Sequence, residues 1–486
     1  MIRLRYAPSP TGDPHLGNIR TAIWSWLYAK KKHGKFIVRI EDTDQSRMVP
    51  GSVNRILKSL EYLGIDWDEG PQKEGDYGPY VQSERLHIYK EHIDILLKSG
   101  NAYKAFETPE ELTAIREDQK KHGLPPGYDG RGRNLSDSEI EKNIQINKPY
   151  VIRFKMPREG ETSFNDVIRG KITVQNKTLD DFILMKSDGF PTYHFAHIVD
   201  DHLMKITHVT RGEEWIPSTP KHIAVINALN WEQPIYVHTS IILGPDGGKL
   251  SKRHGARSVI EYQEDGYLPQ AVLNYLAMTG WALDDKTNII SLDELKNHFE
   301  IDQLLPNPAT FDENKLNWLN GIYLRKMEPD ELSKILQIQL QKDFPQVNIE
   351  LSLLEKITPI IQERISKTTE ISGIASFFFG DNYIFPDEKL FNQHLIEKSN
   401  ELSATIIKAS IELFDNVSQD RWNIEVIENS LRELANKNTI KPGKLFMLLR
   451  IIVTGQKISP PLFETIQIVG KNIIIKRLQI ALQKLS

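Results

Sequence analysis

Residues 1–44, MIRLRYAPSPTGDPHLGNIRTAIWSWLYAKKKHGKFIVRIEDTD, spell a strand, a loop, a helix and a second strand. Ile2 to Tyr6 is a short strand candidate, and Pro8, Pro10 and Gly12 break it into a loop. Ile19, Ala22, Ile23, Trp26 and Leu27 then recur at i, i+3, i+4, i+7 and i+8, one face of a helix. His33-Gly34 ends that helix, and Phe36-Ile37-Val38-Arg39-Ile40 is a compact apolar strand. Two strands joined by a crossover helix predict a parallel pair, and such sheets bind ligands at the carboxyl ends of their strands. Ala7-Pro8-Ser9-Pro10 and Glu41-Asp42 both fall at such an end.

Outward from this unit the pattern changes at about Gly75. Glycines, prolines and short mixed runs continue through Gly127-Tyr128-Asp129-Gly130-Arg131-Gly132-Arg133 to Pro149, with strands expected at Tyr150–Lys155 and Lys171–Val174. Residues 76–190 therefore read as an insertion into the sheet, which is expected to resume with Asp200 to Val209 and run to the loop at Lys249. Past residue 255 the strand signal fades. Leu354, Ile357, Ile361 and Ile365 recur at helical spacing, as do Ile474, Leu478, Ala481, Leu482 and Leu485, so the region from about 331 onward is expected to be all-helical.

Composition narrows the function classes. A chain of 486 residues is too long for one core and suggests three or more domains. Its 40% hydrophobic and 26% charged residues are ordinary for a globular protein. The lack of cysteine excludes disulfides, thiolate nucleophiles and a cysteine-ligated zinc ribbon, and fits a reducing compartment. The first residues are charged and carry no apolar signal core. No stretch approaches the roughly 18 uncharged apolar residues of a membrane span. A cytoplasmic location with no membrane partner is expected. The net charge of −4 excludes a histone-like coat on nucleic acid more firmly than an enzyme that reads RNA by shape.

Two segments carry phosphate chemistry. His15 and Gly17 stand at a helix start, where free N–H groups and the helix dipole favour a phosphate, and where a glycine lets a nucleotide approach the backbone. Taken alone, a Pro-His pair before a helix is more often a capping device. Gly244-Pro245-Asp246-Gly247-Gly248-Lys249-Leu250-Ser251-Lys252-Arg253 places two ammonium groups on a glycine-rich loop, suited to the oxygens of a transferring phosphoryl group. It is not a Walker A loop, because Leu250 stands where a magnesium-binding hydroxyl belongs. A solvated basic turn is the alternative reading of that loop. The cluster His194, His197, Asp200, Asp201 and His202 invites a metal reading, yet Asp200 and Asp201 are better read as capping and polarising the connection into the next element.

Together these segments resemble a family. Ala7-Pro8-Ser9-Pro10-Thr11-Gly12-Asp13-Pro14-His15-Leu16-Gly17-Asn18 resembles the first signature of the class I aminoacyl-tRNA synthetases, and Lys249-Leu250-Ser251-Lys252-Arg253 resembles the second. Their wording is similar to that of bacterial-type glutamyl-tRNA synthetases. So is that of Arg39-Ile40-Glu41-Asp42-Thr43-Asp44, of Gly78-Pro79-Tyr80 with Ser83-Glu84-Arg85, of Lys186-Ser187-Asp188-Gly189 with Pro191-Thr192-Tyr193, and of Arg211-Gly212-Glu213-Glu214-Trp215. The motifs span the chain in family order. Asn18 replaces the histidine that ends the first signature in many relatives, so His15 and Gly17 are kept as the functional pair.

The resemblance implies an α/β Rossmann-like class I catalytic domain with an α+β insertion, followed by an all-α anticodon-binding region. The boundaries expected are 1–75 and 191–254 for the split catalytic domain, 76–190 for an inserted domain holding the tRNA acceptor end, 255–330 for a connecting domain, and 331–486 for the helical region. It implies glutamate–tRNA(Glu) ligation with ATP as substrate and Mg2+ arriving with it. His15, Lys249 and Lys252 are the implied catalytic residues. Pro10, His15, Gly17, Trp215, Lys249, Leu250, Ser251, Lys252 and Arg253 are implied at ATP. Arg5, Ala7, Ser9, Glu41, Tyr193, His197 and Arg211 are implied at L-glutamate, although His197 stands where many relatives carry asparagine or a small residue. Arg5 and Arg211 suit carboxylates through planar bidentate forks, and Glu41 suits the ammonium. Seen without the family, the two arginines would more often be surface ion pairs. Arg131, Arg133 and Arg364 are the candidates for tRNA contact. Some relatives hold a cysteine-ligated zinc in the insertion; with no cysteine here, no zinc is expected. A monomer is expected.

Three other readings compete. A truncated paralogue that glutamylates a tRNA base would lack the helical region. A catalytically dead tRNA-binding homologue is opposed by intact His15, Lys252, Glu41, Arg5 and Arg211. A small-molecule nucleotidyltransferase would not need the domain beyond residue 330.

Overall fold

The computed structural model describes residues 1–250 and 257–485. The chain divides into two compact units, Met1–Gln263 with Pro269–Glu313, and Glu264–Leu268 with Asn314–Ser486. The division falls inside the 255–330 stretch.

The strands in chain order are β1 (Arg3–Tyr6), β2 (Lys35–Val38), β3 (Ala102–Ala105), β4 (Val151–Phe154), β5 (Glu161–Asp166), β6 (Gly170–Gln175), β7 (Ile183–Met185), β8 (His208–Gly212), β9 (Ile235–Thr239), β10 (Ile242–Leu243) and β11 (Ala309–Thr310). All lie in the first unit. Six of them form one sheet in the order β2-β1-β8-β9-β5-β6. Its pairs are parallel except the β5–β6 hairpin. Register is set by Arg3 opposite Lys35, Leu4 opposite His208, and Arg211 opposite His238. The chain leaves β1 for β2 on one side, and β8 takes the other side. That reversal opens a crevice at the carboxyl ends of β1 and β8.

The expected strand–helix–strand start is present as β1, the helix Leu16–Lys31 and β2. The helix is buried on more than the one face that its spacing suggests, because Arg20, Trp24 and Ser25 are buried along with Ile19, Ile23 and Leu27. The helices Pro269–Met278 and Leu292–His298 cover its outer side, and the Trp24 indole donates to the Ala277 carbonyl at 2.8 Å.

Two expectations need correction. Asp200 to Val209 does not reopen the sheet: Tyr193–Leu203 is helix and the strand begins at His208. Nor do the side chains of Asp200 and Asp201 cap the connection into the next element. They are buried inside that helix, and arginines from distant segments neutralise them. The 76–190 stretch contributes a three-stranded antiparallel sheet, β3-β4-β7, but its β5–β6 hairpin extends the main sheet, with Asp166 opposite Tyr236.

In the second unit the described residues form helices and turns only. Its core gathers Ile406, Phe414, Leu431, Leu448, Ile466, Ile474 and Leu478 from successive helices. Leu354, Ile357 and Ile361 lie buried in the helix Leu351–Ile361, and Ile365 is buried just beyond it.

Candidate active site

His15 is the N-cap of the first helix, with extended backbone at φ −81° and ψ 162°. Its Nδ1 receives the Asn18 amide at 3.4 Å, which leaves the Nε2 proton facing outward. A Cβ on Gly17 would stand 3.2 Å from that ring, so glycine keeps the imidazole flat against the helix mouth. Loss of hydration, and then the Lys249 ammonium, hold His15 below the ordinary histidine range against the pull of Glu214.

A pocket at this helix start is lined by His15, Gly17 and Thr21, by Gly212 at the end of β8 and Glu214 after it, by Ser240 after β9, and by Lys249 and Leu250. Leu250 donates its amide to the Ile242 carbonyl at 2.9 Å, and His15 makes a backbone bridge to Ser258. Both described flanks of residues 251–256 are thus anchored at this pocket. Ser251, Lys252 and Arg253 lie outside the described residues.

Beneath the crevice lies a charge-balanced cluster. Arg39 places one amino group 2.8 Å from Glu41 and the other 2.8 Å from Asp201. Arg5 reaches Asp201 at 3.0 Å. Asp200 accepts from Arg85 at 2.7 Å, from Gln82 at 2.8 Å and from Tyr89 at 2.8 Å. Breaking one such buried pair typically costs about 3–5 kcal/mol, because the other charge is left uncompensated. Burial pushes the Asp201 carboxyl up, yet Arg5 and Arg39 outweigh it and hold it well below the usual carboxylate range. At Glu41 burial wins over Arg39 and Arg5, and its pKa is raised.

Arg211 has different company. Its Nε donates to His238 Nε2 at 3.1 Å, and Nη2 to Thr219 at 2.9 Å with His222 Nδ1 at 3.2 Å. Among the described residues, Nη1 has the Tyr193 hydroxyl at 3.4 Å and His197 Nε2 at 3.5 Å. Tyr193 stacks on His197 at 4.5 Å and lies 4.1 Å from the Trp215 ring. Burial, and then Arg211, depress His197 well below the ordinary range; burial and the neighbouring cations depress His194 to about 4. These imidazoles are neutral at pH 7. The Tyr193 hydroxyl feels Arg211, Glu41 and Arg5 together, so these four groups share one environment.

The remaining expected residues are distributed as follows. Ala7 and Pro10 lie in the loop after β1, half-buried and buried, and Ser9 is exposed beside them. Arg131 is exposed and paired with Asp129 at 2.9 Å. Arg133 is bound to Asp181 and to the Met156 carbonyl within the inserted segment. Arg364 ends a short turn after the helix Leu351–Ile361 and is exposed. His194, His197, Asp200, Asp201 and His202 do not gather round a metal position: among the described residues no group of three or more His, Asp or Glu side chains is placed to hold an ion.

Sequence reasoning missed His238, His222, Thr219, Asp166 and Arg85 as neighbours of the site. Arg85 lay in a quoted motif, but His238 carries no local signal. Only the register of β8 against β9 brings it to Arg211.

Comparison with known proteins agrees with this architecture. The model of the class I tRNA synthetase (E and Q) catalytic domain matches residues 1–318, and that of an anticodon binding domain matches residues 330–482. A glutamate–tRNA ligase of Dehalococcoides mccartyi is 44% identical over all of this chain and 98% of its own length. One of Borreliella burgdorferi is 41% identical over 99% of this chain and 98% of its own. A glutamate tRNA ligase from Elizabethkingia meningosepticum, solved in complex with its amino acid, superposes with a TM-score of 0.90 at 38% identity, covering all of both chains. No described helix is long and apolar enough to cross a membrane. A catalytic module followed by an anticodon-binding module, matched from end to end at these identities, places this chain in the glutamate–tRNA ligase family of class I aminoacyl-tRNA synthetases.

Proposed function

We propose that this chain activates L-glutamate with ATP and transfers the glutamyl group to the 3′-terminal adenosine of tRNA(Glu), releasing AMP and diphosphate. The observation that supports the reading is that the phosphate-type helix start at His15 and Gly17 lines one pocket with Gly212, the residue after Arg211, whose guanidinium in turn meets Tyr193 and His197.

The substrate α-carboxylate attacks the α-phosphorus of ATP, and diphosphate leaves. Catalysis of such a step is mainly positioning plus electrostatic stabilisation of the phosphoryl oxygens. His15 offers its Nε2 proton to that charge, with Lys249 and Lys252 supplying ammonium groups. Pro10, Gly17, Trp215, Leu250, Ser251 and Arg253 complete the nucleotide site. Magnesium enters with the nucleotide and is counted with the substrate. Arg211 takes a carboxylate and Glu41 the ammonium; Arg5, Ala7, Ser9, Tyr193 and His197 shape the rest of the pocket. A glutamine amide in place of the acid leaves a buried guanidinium unpaired, the kind of mismatch that gives strong rejection. The terminal ribose 2′-hydroxyl then attacks the adenylate carbonyl. The helical region takes the anticodon end of the tRNA, Arg364 lying on that side, while Arg131 and Arg133 lie with the acceptor end. The enzyme acts in the cytoplasm as a monomer, with catalytic, inserted, connecting and helical parts as the sequence suggests, except that the β5–β6 hairpin belongs with the catalytic sheet.

Aminoacylation with purified tRNA(Glu) and tRNA(Gln), offered glutamate and glutamine separately, tests this. Glutamate is expected on tRNA(Glu). Charging with glutamine alone overturns the amino-acid assignment, and charging of neither overturns the activity.

A further inference from the structure

Arg3, Arg5, Arg39 and Arg85 each meet a carboxylate at 2.7–3.0 Å. Arg211, 6% exposed, has no ion-pair partner among the described residues; three imidazoles and two hydroxyls surround it instead. A buried cation held by neutral groups keeps its charge for a ligand.

What holds it still is a relay across three adjacent strands. Asp166, at the end of β5, accepts the Ile168 and Arg169 amides at 3.0 and 2.9 Å through Oδ1. Its Oδ2 accepts the His238 amide at 2.9 Å and lies 2.7 Å from His238 Nδ1. An ionised carboxylate only accepts hydrogen bonds, so Nδ1 carries the ring proton and the Nε2 lone pair faces Arg211 Nε. Burial works against ionisation of Asp166, yet His238 and the backbone amides keep its carboxyl below the ordinary range. His238 lies directly opposite Arg211 in the β8–β9 ladder, and Tyr236, two residues earlier, pairs with Asp166 itself. Sheet geometry therefore sets both spacings.

We propose that His238, locked by Asp166 with its proton on Nδ1, is a positioning residue that anchors the Nε side of Arg211 and leaves the loosely held Nη1 edge for a carboxylate of the acidic amino-acid substrate. The proposal rests on the reading of Arg211 as the carboxylate binder. A neutral acceptor does here what an aspartate cannot. It fixes the guanidinium without occupying its charge, while the Asp166 carboxylate sits one imidazole away.

The test is calorimetric titration of the full chain with glutamate and, separately, with ATP. His238→Leu is expected to raise the glutamate Kd by about tenfold or more, the scale of one lost hydrogen bond to a charged group, and to leave the ATP Kd unchanged. His238→Gln keeps an acceptor near the Nε2 position and is expected to recover most of the loss. Arg211→Lys keeps the charge but removes the guanidinium that His238 contacts, so adding His238→Leu to it is expected to cost little more. A His238→Leu effect that multiplies fully in the Arg211→Lys background, or that moves glutamate and ATP alike, shows a merely structural histidine and overturns the proposal. Arg211→Lys weakening glutamate while both His238 variants bind normally also overturns it, with the reading of Arg211 intact. An unchanged glutamate Kd in Arg211→Lys removes that reading, and the proposal with it.

Discussion

Arg39 bonds two carboxylates whose proton affinities move in opposite directions. Asp201 meets two guanidiniums, so its pKa falls; its ionised form contributes stability that is present above the ordinary aspartate value of 3.8 and is lost as pH drops through the depressed folded value. Glu41 meets one directly and is buried, so its pKa rises above the ordinary 4.5. Its sign is reversed: the folded state favours the protonated acid, and that stability is lost as pH rises through the raised value. Ionised Glu41 is thus held at a cost that a bound ammonium offsets, which is the arrangement a receptor for an α-amino group needs. Binding of glutamate to the parent protein is accordingly expected to weaken as pH is lowered from 7 toward the ordinary glutamate range, because protonated Glu41 offers the ammonium no charge. Glu41→Gln should bind glutamate more weakly at pH 7 and show a flatter profile. Titrations between pH 5 and 7 check this, and an equally steep profile in Glu41→Gln rules out Glu41 as the titrating group.

At the scale of elements, the amino-terminal strand, helix and strand were legible because each is bounded by its own punctuation and periodicity. Gly34 shows how tight that junction is. A Cβ there would stand at 2.3 Å from the Ile2 carbonyl oxygen, since the chain turns from the helix into β2 against the start of β1. Gly34→Ala is expected to destabilise the fold by about 1–3 kcal/mol through backbone displacement, read as a lower urea midpoint with an unchanged slope. Stability equal to the parent would mean that the backbone at Ile2, just before β1, yields freely. The helix at Tyr193–Leu203 was not legible as helix at its far end, because Asp200-Asp201 looks like solvated punctuation. Its partners Arg5, Arg39 and Arg85 come from residues more than a hundred positions away. The same holds for the Arg211 pocket. Tyr193, His197 and Arg211 stood in motifs, whereas Thr219, His222 and His238 depend on strand pairing that no local pattern encodes. The β5–β6 hairpin was legible in part as a strand at Lys171–Val174, but not as the edge of the main sheet.

Over the whole molecule, the chain visits its second unit twice. Glu264–Leu268 belongs with Asn314–Ser486, although the residues on both sides of that short segment belong to the first unit. Within the second unit this segment is held by polar contacts as well as by the buried side chains of Tyr267 and Leu268. The Asn320 carboxamide accepts the Leu268 amide at 2.8 Å and donates to the Ser366 carbonyl at 2.6 Å. Lys367 pairs with Asp265 at 2.8 Å, and the Tyr267 hydroxyl bonds Asn317. Gly266, at φ +89°, passes so close to Thr368 and Thr369 that a Cβ would lie 2.7 Å from each. Each buried polar group stripped of its partner costs about 1–3 kcal/mol, so the segment keeps its shape only while residues beyond 313 are present. A cut after Glu313 therefore does not separate two self-sufficient pieces, even though it follows the main division of the chain. A chain ending there is expected to be cleaved by a broad-specificity protease inside 264–268, and the full chain is expected to resist cleavage at those residues. Asn320→Ala in the full chain, which removes the Asn320 bonds to Leu268, Gly266 and Ser366 and leaves the others, should show cleavage at an intermediate rate. Equal resistance in all three would mean that the first unit holds the segment by itself.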